Sequence, residues 1–200
     1  ISVVSTGPGA KNTRMGCLNF TWYDLKRKRA RYKQAGRGGI GCVFADKGIK
    51  AIVARWDTVT TKTNNPANAN TLKEVGRKHS KEVVELDPKQ NQMAQIGTTH
   101  LVPIMNDFDL LPIHNFQYGR HAEADNIGQE VFRRIFDPGY DGCWMGCTLA
   151  CSHGVKDFVP LTGPYKGTKV FVDGPEYETI AAFGSLALVD DLEAVIYAGH

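Results

Sequence analysis

Three of the five cysteines fall within nine residues, in the run Cys143-Trp144-Met145-Gly146-Cys147-Thr148-Leu149-Ala150-Cys151. Thiolates are soft, anionic ligands that suit iron–sulfur clusters, zinc or copper(I). Three is one short of the usual four, so either a fourth ligand comes from elsewhere or one iron keeps an open position. The plainer alternative is a buried helix face, because a spacing of four puts all three sulfurs on one side of a helix and free cysteine is often buried. A second candidate is Glu176, which precedes an apolar helical pattern at Ile180, Phe183 and Leu186. Near a helix N-terminus the dipole favours the carboxylate form and gives it a direction; alternatively, Glu176 and Glu178 are simple first-turn charges. A third is the glycine-rich run Arg37-Gly38-Gly39-Ile40-Gly41. Its glycines let the backbone approach a ligand and present N–H groups to a phosphate. The run fits neither G-x-G-x-x-G nor the P-loop, and a plain tight turn would also account for it.

The elements that must carry these residues are legible in outline. Ile1-Ser2-Val3-Val4 reads as a strand, Gly7-Pro8-Gly9 as a turn, and residues 49–54 as a short buried strand. Residues 58–70 are polar, with threonine, asparagine and proline and little to bury, and read as a linker. A helix capped by Asn70 or Thr71 follows, with Leu72, Val75, His79, Val83 and Leu86 on one face. Residues 90–105 read as a further helix ending near Pro103. The proline of Leu111-Pro112-Ile113-His114-Asn115-Phe116 predicts an extended segment. Residues 127–136 are helical by pattern and stop before Asp137-Pro138-Gly139. Residues 155–172 read as loop, with turns at Gly163-Pro164 and Lys166-Gly167. The fold class expected is α+β.

Composition excludes some functions. The chain has 200 residues, 42% hydrophobic and 22% charged, with 24 basic against 21 acidic residues and a net charge of +3. That balance is too mild to imply a polyanion partner, and the basic run Lys26-Arg27-Lys28-Arg29 reads as a solvated face rather than a nucleic-acid patch. No apolar stretch reaches the roughly 18 residues of a membrane span. An odd, clustered set of cysteines argues against a secreted disulfide framework and for a reducing, cytoplasmic setting. The chain opens on Ile1 and stops directly after a helical pattern at Tyr197-Ala198-Gly199-His200, so a section of a longer polypeptide is expected, inactive by itself.

The series formed by Gly7-Pro8-Gly9 with Asn12, Arg37-Gly38-Gly39-Ile40-Gly41, Lys47-Gly48-Ile49-Lys50-Ala51-Ile52, Leu111-Pro112 with Asn115-Phe116, the cysteine run, and Gly174-Pro175-Glu176-Tyr177-Glu178-Thr179 with Phe183-Gly184-Ser185 resembles the aldehyde ferredoxin oxidoreductase family. These are tungsten enzymes with a bis-pterin cofactor beside a four-iron cluster, in anaerobic metabolism. The resemblance runs over essentially the whole chain. It implies that residues 1–57 end a β-rich pterin-binding domain, 58–70 link, and 71–200 are part of a mainly helical, cluster-binding domain. One departure stands out: the family run is C-x-x-C-x-x-x-C, whereas Cys143, Cys147 and Cys151 give C-x-x-x-C-x-x-x-C. Radical S-adenosylmethionine enzymes, with C-x-x-x-C-x-x-C, are also missed by one residue.

The resemblance implies roles. Cys143, Cys147 and Cys151 would ligate a [4Fe-4S] cluster, with a fourth thiolate beyond His200, and Cys17 and Cys42 would be structural. Arg37 would lie near the pterin, where a guanidinium bonds acceptors bidentately. The Gly38 carbonyl would help hold a magnesium ion bridging the pterin phosphates, and Gly39 and Gly41 would keep the turn open. Glu176 would be the proton acceptor in oxidation of a small aldehyde to a carboxylic acid, with Glu178 the fallback. Electrons would pass to ferredoxin or a partner subunit; an oligomer is compatible with this. Two other readings stand beside it. One is the active-site subunit of a class II benzoyl-coenzyme A reductase, reducing an aromatic acyl-CoA. The other is a non-catalytic module binding zinc or a cluster.

Overall fold

A computed structural model describes residues 1–55, 66–137, 141–143 and 146–199, in two compact units, Ile1–Leu72 and Lys73–His200. The first unit is built on a four-stranded antiparallel sheet. Its strands are β1 (Ser2–Ser5), β2 (Leu18–Asp24), β3 (Arg29–Ala35) and β4 (Ala51–Ala54), in the order β3-β2-β1-β4. Between β3 and β4 runs helix α1 (Ile40–Asp46), packed against a 3-10 turn at Pro8–Asn12. The aromatic and basic residues between positions 20 and 32 thus form a hairpin. Asp24 closes its turn, accepting the N–H groups of Lys26 and Arg27 and paired with the guanidinium groups of Arg27 at 2.8 Å and Arg31 at 3.0 Å. Arg31 in turn lies over the Trp22 ring. Burial alone would raise the Asp24 pKa, but the hydrogen bonds from Arg27 and Arg31 outweigh it and hold the carboxyl below its ordinary value. β4 departs from expectation: it is the outer strand of the sheet rather than an inner one, and Ile52 and Val53 are more than half exposed.

The second unit takes most of α2 (Ala69–Gln90), then α3 (Met93–Ile96), a 3-10 turn at Gly97–His100, α4 (Leu101–Asp107) and α5 (Gln129–Phe132). It closes with the hairpin β5 (Gly154–Phe158) and β6 (Val170–Asp173), then α6 (Tyr177–Phe183) and α7 (Leu192–Gly199). Its core gathers Val102, Leu111, Ile127, Phe132, Val155, Val172, Ile180, Val195 and Ile196, from helices and hairpin alike. A fully buried Ile or Leu side chain contributes about 1.5–3 kcal/mol, so this cluster is what anchors the hairpin to the helices.

Several expectations change on the structure. Asn68, not Asn70 or Thr71, caps α2: its Oδ1 accepts from Asn70 N at 3.1 Å and Thr71 N at 3.0 Å. Leu72, Val75 and Leu86 of the expected apolar face are exposed. The expected helix over 90–105 is broken into three short pieces, and Pro103 sits inside the first turn of α4, where its missing N–H costs nothing. Leu111 to Phe116 does not stay extended. His114, Asn115 and Phe116 have φ of 47°, 53° and 67°, a left-handed turn held by bonds from His114 N to Ser185 O and Asn115 N to Leu186 O. The helix over 127–136 shrinks to α5 and turns. Residues 155–172 form strands at both ends, because Val155 and Val172 pair across the hairpin and enter the core; this two-stranded hairpin is set among helices, which make up the other named elements of the unit. Positions 58–65 of the expected linker, and Pro138 and Gly139 of the expected helix stop, lie outside the described residues.

Candidate functional site

In the first unit, the glycine run turns sharply from β3 into α1. Gly38 and Gly39 have φ of 76° and 63°, which glycine adopts without steric cost. A Cβ at Gly39 would land on the Arg14 carbonyl oxygen, and one at Gly41 on the Cys17 carbonyl oxygen. Gly41 N also donates to Gly16 O at 2.9 Å. Residues 14–17 therefore cross so close to the start of α1 that both glycines are demanded by the chain's own packing. Gly38 differs, because a Cβ there would meet nothing within 4 Å. Arg37 and Gly38 are exposed. The Cys42 Sγ accepts from Gly16 N and donates to Thr13 O, both at 3.0 Å, a structural role. At the other end of α1 lies a cleft of about 440 Å³ that brings Gly7 and Pro8 together with Gly48, Ile49 and Lys50.

In the second unit, hydrogen bonds join the end of the cysteine run to the segment that carries Glu176. The described part of the run is not helical, so the single-face helix reading does not apply. Cys143 is exposed, while Cys147 and Cys151 are half-buried. Asp141 bridges to Cys151, His153 O accepts from Gly174 N at 2.9 Å, and Ser152 Oγ donates to Asp173 Oδ1 at 3.4 Å. These bonds tie the end of the cysteine run to the strand that leads through Pro175 into Glu176. Glu176 is the N-cap residue of α6, as its position in the sequence suggested, yet its side chain makes no capping bond. Its Oε2 instead accepts from Thr98 Oγ1 at 2.7 Å, and the same Oγ1 accepts from Tyr177 N at 2.8 Å. Gly97, with φ 76°, lets that segment pass: a Cβ would lie 2.8 Å from the His153 ring and 3.0 Å from Cys151 O.

Charge follows the geometry. Burial pushes the Cys151 thiol pKa up, and the negative charges of Glu176, Cys147 and Cys143 push it further the same way. Three thiols and a carboxylate are donors of a kind that metals and iron–sulfur clusters take. The donor chemistry thus fits a metal or cluster. Among the described residues, however, no three His, Cys, Asp or Glu side chains already stand as a metal-sized group. Glu178 is exposed and adds to the raised pKa of Tyr177, after the burial of that phenol. The two carboxylates therefore have different surroundings: Glu176 is bonded to Thr98 and acts on Cys151, while Glu178 acts on Tyr177. Thr98 and Gly97 escaped the sequence reading. The only local signal was a polar break, Gly97-Thr98-Thr99-His100, in an apolar helical pattern.

Residues 74–200 match the family described as aldehyde ferredoxin oxidoreductase, domains 2 and 3. The chain belongs to the aldehyde ferredoxin oxidoreductase family. It is similar over all 200 residues to tungsten-containing aldehyde ferredoxin oxidoreductases of Pyrococcus horikoshii and Pyrococcus abyssi, at 30% identity to each. It is also similar to that of Pyrococcus furiosus, at 28%. The chain spans 29% of the length of these curated relatives. Among the described residues no helix is long and apolar enough to cross a membrane.

Proposed function

We propose that this chain contributes the cluster ligands and the proton-accepting carboxylate of a tungsten-dependent enzyme that oxidises aldehydes to carboxylic acids and passes electrons to ferredoxin or a partner subunit. The observation that carries the reading is the turn that joins the two parts, Gly97 packed against the Cys151 carbonyl and Thr98 Oγ1 bonded to Glu176 Oε2 at 2.7 Å, in a chain whose relatives are tungsten-containing aldehyde ferredoxin oxidoreductases. When bound, the tungsten–pterin group supplies two-electron chemistry and the iron–sulfur cluster a one-electron relay. Cys143, Cys147 and Cys151 would hold the cluster, together with a fourth ligand. Arg37 and the Gly38 carbonyl would hold the pterin phosphates and their magnesium ion; a Cβ at Gly38 would meet nothing within 4 Å. Gly39 and Gly41 fix the shape of that turn.

Converting an aldehyde to its acid adds a water oxygen at the carbonyl carbon and releases two electrons and two protons. Glu176 takes one of those protons on its carboxylate, the role of a positioned general base. Nothing in the relatives or the geometry favours the benzoyl-CoA reductase or the non-catalytic reading. The test is metal analysis of the purified full-length protein together with aldehyde-dependent reduction of a viologen dye. Tungsten with about four irons and dye reduction support the proposal. Zinc alone, with no dye reduction, overturns it.

A further inference from the structure

We propose that Thr98 is the positioning residue for Glu176, an assignment that rests on Glu176 being the proton acceptor. The Thr98 hydroxyl has one proton. Because Oγ1 accepts the Tyr177 N–H at 2.8 Å, that proton is directed to Glu176 Oε2 at 2.7 Å. A backbone amide thus orients the hydroxyl rotor, and the hydroxyl fixes one carboxylate oxygen as an acceptor. The 2.7 Å distance is that of a well-formed O–H···O bond. The segment carrying Thr98 is itself locked. Gly97 lies against the His153 ring and the Cys151 carbonyl with no room for a Cβ, and its own carbonyl accepts from His100 Nδ1 at 3.0 Å. Residues 97 and 98 therefore touch both the cysteine loop and the carboxylate, so one short turn sets the distance between them.

A competing role is purely structural: Oγ1 satisfies the first N–H of α6, which would otherwise lack an intrahelical partner. Both roles predict lower stability on substitution, so the experiment must separate them. In the full-length protein, Thr98→Val removes both hydrogen bonds at nearly constant volume, and Thr98→Ser keeps them. If Thr98 positions Glu176, Thr98→Val lowers kcat for aldehyde oxidation about 10- to 100-fold, the cost of a misplaced reacting group. Tungsten and iron contents and KM stay near normal, and Thr98→Ser returns kcat to within a few-fold of the parent. In a Glu176→Gln background the same Thr98→Val change has little further effect, because the two act as a unit. A crystal structure of Thr98→Val would show the Glu176 carboxylate displaced; if that variant does not fold, Thr98→Ala is carried through the same cycle. Equal losses in both backgrounds, or a lower melting temperature with unchanged kcat, would overturn the proposal. If Glu176→Gln itself leaves kcat unchanged, the reading of Glu176 fails, and Thr98 then has nothing to position. If Glu176→Gln is crippling while Thr98→Val is silent, only the Thr98 proposal fails.

Discussion

At Gly39 and Gly41 the chain carries no side chain, and its position is set by the carbonyls of Arg14 and Cys17 pressing against it. At Glu176 the position is set by a hydroxyl 78 residues away in the sequence. The first region is shaped by backbone packing within some 25 residues, so its geometry should survive whether or not a ligand is present. The second depends on side chains brought together by the fold, in a place where burial and like charges already raise the Cys151 thiol pKa. Backbone-built sites are stiff and tolerate little substitution; side-chain-built sites can be tuned, and a single atom can disable them. That contrast yields an ordered set of tests.

The largest effect belongs to the cysteines. Cys147→Ser in the full-length protein should abolish the broad iron–sulfur absorbance, since it removes a thiolate from a site with no spare one in the run. Cys17→Ser should leave that absorbance intact, because Cys17 lies in the backbone-packed region and only its carbonyl is engaged there, by the Thr6 hydroxyl at 3.1 Å. A full cluster signal in the Cys147 variant would break the assignment of the run.

Next comes the carboxylate pair. Glu176→Gln keeps size and can still accept from Thr98, but it cannot take up a proton. Turnover should fall about 100- to 10,000-fold, with tungsten and iron contents near normal. Glu178→Gln is the control: it is exposed, and its charge acts on Tyr177, so turnover should hardly change. Kinetics of the two variants side by side decide it, and the reverse pattern would mean that the wrong carboxylate was chosen.

How much of this was readable beforehand follows the same division. The glycine turn was visible because its cause is local: residues with no Cβ cluster where the chain must bend, and Gly38 and Gly39 do take positive φ. Glu176 was also visible, since an acidic residue just ahead of an apolar period marks a helix start, and α6 begins one residue later. Thr98 was not, because a hydroxyl bond across 78 residues leaves no periodic trace. The hairpin of β5 and β6 was missed for a related reason. Its strands have five and four residues, and the connection between them is rich in glycine and proline. Only the pairing of Val155 with Val172 reveals them. Exposure of Ile52 and Val53 was hidden as well, because an apolar run looks the same in an outer strand as in an inner one.

A smaller effect tests the stiffness of the first region. Gly41→Ala would push a methyl into the Cys17 carbonyl, with Gly16 immediately beside it. Backbone lies on the other side of the contact, so relief requires the 14–17 segment to move away from α1. Overpacking of this kind costs about 1–3 kcal/mol, which a thermal melt of the full-length protein would register as a clear drop in midpoint. An unchanged midpoint would show that the turn is softer than its contacts imply and would erase the contrast with the carboxylate site.

The smallest expected change in stability, at Gly38, sharpens the comparison most. A methyl at Gly38 meets nothing within 4 Å, so no packing term opposes it. What remains is the left-handed backbone, with φ at 76°, worth roughly 1–2 kcal/mol for a residue with a Cβ. If the open space beside Gly38 is where the pterin phosphates and their cation sit, the added methyl competes with them. Gly38→Ala should then lower tungsten content well beyond what its modest melting shift explains, while Gly41→Ala should lower both in proportion. Metal analysis on protein purified at low temperature, where both variants stay folded, separates the two effects. Tungsten content that falls only in step with stability would leave Gly38 as a plain turn residue, and the backbone-built region would then have no demonstrated ligand.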